Sequence, residues 1–233
     1  NCKDDQGRTL VSAAVENLSR NTFNQIKYLI KDKNADVNIP DMQGLTSLHL
    51  ACRLTPAKIQ SMYNWHTWNN MKQSQKDRIT KEYKELVIET VNLLIETNSN
   101  VNARSNDGQT PFSIALENHN FEIIDILLNQ KNIDLSFTNS KGEGVYHLIS
   151  SVMSLKEGKA LFHKVIELVG NKNDLLNAVN DDGFTPLQTF VSVFGSANGA
   201  SKYLKSEYER LTNEALKKKE EEQAPKKEDK KSA

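Results

Sequence analysis

Glycines at positions 7, 44, 108, 142 and 183 each open a similar phrase: GRTLVSAA, GLTSLHLA, GQTPFSIA, GEGVYHLI and GFTPLQTF. Six residues before each of the last four glycines a second phrase closes, as ADVN at Asn38, SNVN at Asn102, IDLS at Ser136 and DLLN at Asn177. The order of the two phrases holds even where the distance between glycines changes, so the register belongs to the unit and not to the spacing. A unit this short cannot bury an apolar face alone and must stack on copies of itself, which predicts an array and not one rounded core. In an array, function lies in a surface more than in a catalytic pocket.

Each unit is built from pieces with local physical reasons. Thr46, Thr110 and Thr185 are good helix N-caps, and Pro111 and Pro186 then fall at the first helical position, where a missing N–H costs nothing. The runs QIKYLI, TVNLLI, IIDILL and KVIELV place apolar residues at helical spacing and give a second helix its buried face. Gly44, Gly108 and Gly183 suit the turn of an intervening hairpin.

Together these phrases resemble the ankyrin repeat, with its Gly-x-Thr-Pro-Leu-His-x-Ala start, Val- and Leu-rich second helix and Asp-Val-Asn close. The likeness covers residues 1 to about 200. It implies an all-α solenoid of stacked helix pairs with β-hairpin or loop connections, in five repeats near 5–38, 41–102, 105–136, 139–177 and 181–216. The resemblance also explains Ala14, Ala51 and Ala115, which fall where the family packs two helices close together. Ile149 and Phe190 replace that alanine, so the last pairs are expected to be splayed or differently packed.

One frame is broken. Gly44 to Gly108 is 64 residues, against a family period of about 33, which places an insertion at 54–85 between the two helices of the second repeat. It holds both tryptophans, Trp65 and Trp68, close to Tyr63 and Met71. Ile79, Tyr83, Leu86, Thr90 and Leu94 then follow helical spacing, predicting one helix of roughly 20 residues preceded by an aromatic loop. Two readings of the tryptophans stay open: they fold back and cover the helix, or they anchor a partner. Under the second, the array is expected to fold without residues 56–78. A smaller extension, MSLKEGKA, lies in the fourth repeat, and 217–233 is almost purely charged and reads as a tail or linker without a core.

Little in the chain points to chemistry. His49 and His147 occupy the His position of the start phrase and His119 opens a second helix, while zinc-ligand and triad spacings are missing, so no catalytic or metal role is assigned. GEG at 142–144 lacks the third glycine of a dinucleotide fingerprint, and no phosphate loop or other cofactor motif is found. Cys52 reads as a buried small residue, and its distance from Cys2 fits a reducing compartment better than a disulfide framework. Acidic and basic residues are equal in number, which argues against nucleic acid as a partner. No apolar run approaches the roughly 20 residues that span a bilayer, so no membrane contact is expected.

What remains is binding of other proteins. The resemblance implies contact through hairpin tips and neighbouring first helices, here Met42, Gln43, Leu45, Arg53, Asp107, Gln109 and Phe184, with Tyr63, Trp65 and Trp68 as a second surface. Leu45 and Phe184 are the expected anchors, being apolar where solvent should lie. A non-catalytic scaffold subunit of a hetero-complex is the leading reading, and a regulatory or targeting module of a longer polypeptide with an enzyme domain is the alternative. Lysine outnumbering arginine, with abundant asparagine, points to a cytoplasmic setting of cytoskeletal or ciliary type. The offset of six from Gly7 lands on Asn1, so a further repeat or a partner is expected to cover Leu10, Ala13, Ala14 and Ile26.

Overall fold

The computed structural model describes residues 2–153, 156–169, 177–196 and 199–223, with side chains in the last stretch up to Glu214 and that of Lys217. Asn1, the Asp-Leu-Leu of the DLLN phrase, residues 154 and 155 of the fourth-repeat extension, the Ala215 side chain and tail residues 224–233 lie outside the described residues.

The described residues form an all-α solenoid. A first row of short helices runs α1 (Leu10–Glu16), α3 (Ser47–Cys52), α7 (Pro111–Glu117), α9 (Val145–Val152) and α11 (Pro186–Phe194). Each carries a second-row partner: α2 (Arg20–Lys31), α6 (Gln73–Glu96), α8 (Phe121–Leu128), α10 (Lys156–Leu168) and α12 (Gly199–Gln223). Between α3 and α6 stand two further helices, α4 (Ala57–Met62) and α5 (Trp65–Asn70). Consecutive first-row helices pack on one another, and α6 packs on both α2 and α8.

The helix starts follow from the phrase. Thr9, Thr110 and Thr185 each accept the main-chain N–H three residues on, at 3.2, 3.2 and 3.3 Å. Each such cap is worth about 1 kcal/mol. Thr46 occupies the same place, but there the ring Nδ1 of His49 takes the Thr46 N–H at 3.1 Å.

The second row supplies the core. Phe23, Ile26 and Ile30 are buried on α2, Leu86, Val87, Val91 and Leu94 on α6, and Ile123, Ile124, Leu127 and Leu128 on α8. Each contributes on the order of 1.5–3 kcal/mol by leaving water. Ile26 corrects one expectation: at 0% exposure on α2 it offers no open face, whereas Leu10 is 65% exposed.

Two further differences concern the irregular parts. The segment before the long helix is not a loop: Pro56 opens α4, and Asn64 caps α5 by accepting the His66 N–H at 2.9 Å. The long helix has 24 residues, beginning at Gln73. In the fourth repeat Ile149 is fully buried where alanine was expected, and the two helices approach at Gly158 instead. A Cβ there would lie 2.0 Å from the Val152 carbonyl oxygen. In the fifth, Phe190 stacks on Phe194 with centroids 4.6 Å apart.

Candidate protein-binding surface

The hairpins are locked before anything binds them. Within each, the glycine N–H donates to the carbonyl three residues back, at 2.9–3.1 Å from Gly7 to Gly183, and Asp4, Asp41, Asn139 and Asn180 accept main-chain N–H groups of their own turns. Between hairpins, Met42 N–H donates to Gln6 O at 3.0 Å, Asn106 to Gln43 at 2.9 Å, Ser140 to Asp107 at 2.8 Å and Asp181 to Lys141 at 3.0 Å. Gly44 shows why the turn needs glycine: its φ is +79°, and an added Cβ would sit 2.7 Å from the Asn106 nitrogen.

Buried histidines extend this ladder. With Nδ1 of His49 accepting from Thr46, its Nε2 carries the proton and donates to the carbonyls of Ala103, 3.0 Å, and Gln109, 3.1 Å. Burial lowers the His49 pKa, so the neutral ring is the bonded form. His147 repeats the arrangement, donating through Nε2 to Phe184 O at 2.8 Å. Asparagines bridge the closing phrases: Asn38 Oδ1 accepts from Asn100 N–H at 2.7 Å, and Asn102 Oδ1 from Asp134 N–H at 2.9 Å. In the sequence those asparagines mark the register, but their partners are not legible there.

On this frame the expected contact residues are placed unequally. Met42 is 63% exposed and Phe184 44% exposed at their tips. Gln43 and Asp107 are exposed too. Leu45 is a correction: at 9% exposure it belongs to the core and is not a surface anchor. It sits one residue past the turn, where the chain already dives into the stack, with its N–H held by Asp41 at 2.8 Å. Arg53 donates to Glu16 at 2.6 Å, and Arg8 reaches the other oxygen of the same carboxylate at 2.5 Å. The hydrogen bond from Arg8 also holds the Asp4 carboxyl below its ordinary pKa. Gln109 donates to the Glu117 carboxylate at 2.8 Å. Cys52 is buried, and burial pushes its thiol pKa up, which removes the thiolate a nucleophile needs.

The insertion is rooted in the array on two sides. Lys58 donates to the carbonyl of Glu16, and the Asn120 amide donates to Leu54 O at 2.7 Å and Cys52 O at 3.3 Å. Ile59 is buried at 2% exposure, so the segment 56–78, expected from the sequence to be separable, contributes at least this side chain to the core. The two tryptophans separate. Trp68 is half-buried, with Tyr63 at 5.5 Å between ring centroids and the Lys76 ammonium 5.8 Å over its ring. Trp65 is 69% exposed and touches His66 edge-on. Next to them an open groove runs between α2, α4 and α6, lined by Leu18, Ile59, Met62, Tyr63, Ile79 and Tyr83 among others.

Residues 87–128 match the model of a family described as ankyrin repeats (many copies). Over 115 residues the chain is 30% identical to Rabankyrin-5 of Mus musculus, a match covering 47% of this chain and 10% of that protein. The matched part is thus about a tenth of the length of that curated relative.

Proposed function

Because this chain is an ankyrin-repeat protein, and so a protein–protein interaction module, we propose that it is a non-catalytic scaffold holding protein partners within a larger assembly. The observation that supports this best is the hairpin ladder. Tip main chains are bonded to one another at 2.8–3.0 Å, so side chains such as Met42, Asp107 and Phe184 are presented in fixed register. A rigid display loses little conformational freedom on binding, which leaves more of the contact energy as affinity. The hairpin face and the insertion serve as two separate contact surfaces in this reading. The excess of lysine over arginine, with abundant asparagine, supports a cytoplasmic, cytoskeletal or ciliary setting.

Amine crosslinking and mass spectrometry on the native complex test the proposal. Crosslinks from Lys141, exposed on its tip, to another polypeptide are expected, and replacing Met42 and Phe184 with Asp should remove them. A chain recovered alone, with no intermolecular crosslinks, contradicts the scaffold reading. The second reading, a regulatory or targeting module joined to an enzyme domain, draws support from the much greater length of the matched relative. The open reading frame of the native transcript distinguishes the two.

A further inference from the structure

The groove between α2, α4 and α6 has an apolar floor and an electrostatic bias. Leu18, Ile59 and Tyr83 are buried at its base, while Met62, Tyr63 and Ile79 stay partly open to solvent along its length. Tyr83 adds an unused donor: its hydroxyl is buried and has no hydrogen-bond partner among the described residues. The acidic residue lining the groove, Glu82, faces Arg78 at 3.7 Å, and the basic one, Arg20, opens α2 and pairs with Glu89 at 2.7 Å while its side chain stays 58% exposed. The groove-facing stripe of α6, Ile79, Tyr83 and Leu86, continues toward the helix N-terminus as Lys76 and Lys72. Neither lysine pairs with a carboxylate among the described residues, and both stand where the helix dipole is positive. Of the bases between residues 55 and 81, Arg78 and Lys81 pair with Glu82 and Glu85 and Lys58 donates to the Glu16 carbonyl, which leaves Lys72 and Lys76, at the N-terminal end of α6, without an acidic partner among the described residues.

We infer that this groove receives an acidic amphipathic helix of a protein partner, its apolar side chains lying along Met62, Tyr63 and Ile79 and its carboxylates meeting Arg20, Lys76 and Lys72. The inference rests on the scaffold reading and names the chemistry of one partner. A helix fits better than a strand, because the groove walls are helices whose main-chain groups are bonded internally and offer an extended peptide no ladder. An anionic membrane fits less well. The apolar surface is recessed, and α5, the helix that carries the exposed Trp65, has six residues, too short to lie in an interface as an amphipathic helix.

The test is a displayed library of helical 16-residue peptides of mixed charge, selected against the full chain. Enriched peptides are then measured on the native chain, on Met62→Glu, on Arg20→Glu with Lys76→Glu, and on a tip variant, Met42→Asp with Phe184→Asp. The groove proposal expects net-acidic peptides with apolar residues at i, i+3 or i+4, and i+7. Their affinity should fall at least tenfold in both groove variants and stay unchanged in the tip variant, with melting curves like the native one. Basic peptides binding Arg20→Glu with Lys76→Glu better than the native chain would confirm the charge logic. Peptides that depend only on the tips overturn the groove while leaving the scaffold reading intact, and no enrichment on either surface overturns both. Phosphatidylserine vesicles form the last arm: binding that is lost in Met62→Glu, without any peptide dependence on the groove, overturns the protein partner in favour of a lipid surface.

Discussion

The side-chain nitrogen of Asn120 lies 2.7 Å from the main-chain oxygen of Leu54, 66 residues earlier, and also reaches Cys52 O at 3.3 Å. One amide from the third repeat thus closes the end of α3 and fixes the point where the insertion leaves the array.

Asn120→Ala is therefore expected to destabilise the chain by about 1–3 kcal/mol, because buried carbonyls lose their donor. Asn120→Asp should cost at least as much, since an acceptor then faces two acceptors. Urea midpoints measure the loss, and amide exchange should quicken first around residues 54–60.

Gly158→Ala is expected to cost at least 1–3 kcal/mol, because the new methyl meets the Val152 carbonyl at a separation of 2.0 Å and α10 must move off α9. Gly199→Ala serves as the control. Among the described residues nothing lies within 4 Å of a Cβ there, so thermal stability should hold or rise slightly. Equal melting temperatures for the two variants would refute the close approach of α9 and α10.

The His49 ring sets a pH dependence. Its folded pKa is lowered by burial, so the unfolded chain binds the proton more readily and stability is complete above the unfolded value of about 6.5. It is lost as pH falls from there toward the folded pKa, with a slope of up to about 1.4 kcal/mol per pH unit. His49→Gln should be less stable at pH 7.5 yet show a shallower decline between pH 6.5 and 5, read from denaturation midpoints at each pH.

The tryptophans should answer differently to the same substitution. Trp68→Ala removes a half-buried ring that touches Tyr63 and Lys76 and should cost about 1–2 kcal/mol. Trp65→Ala should change stability by less than about 0.5 kcal/mol, since its ring is mostly in water. A partner held by the insertion should nevertheless be weakened by Trp65→Ala, as measured by calorimetric titration.

Tyr83 offers a spectroscopic check on the groove. Burial pushes its phenol pKa up to about 12 and also raises those of Tyr146 and Tyr208, so absorbance titration should show several tyrosines ionising well above the ordinary value near 10, with the Tyr83 step identified by its loss in Tyr83→Phe. Met62→Ser, which wets the groove mouth without adding a charge, should lower the Tyr83 pKa, whereas Met42→Ser should not.

By itself the sequence determined everything that depends on near neighbours along the chain. The glycine at each turn, the threonine caps at Thr110 and Thr185, the prolines at the first helical position and the apolar stripe of each second helix are local choices. Their cost is paid within a few residues, so a periodic phrase announces them. Only the tertiary structure decided what depends on the neighbouring repeat. Leu45 and Met42 stand three residues apart in similar tip positions, yet one is core and the other solvent-facing, because burial is set by the next hairpin and not by hydropathy. Trp65 and Trp68 differ for the same reason, three residues along α5 bringing the second ring against Tyr63 and Lys76 and leaving the first in water. Asn38, Asn102 and Asn120 were legible as recurring or polar residues, but their acceptors and donors lie 30 to 68 residues away, and contacts across repeats leave no mark on a single sequence beyond the residue type itself.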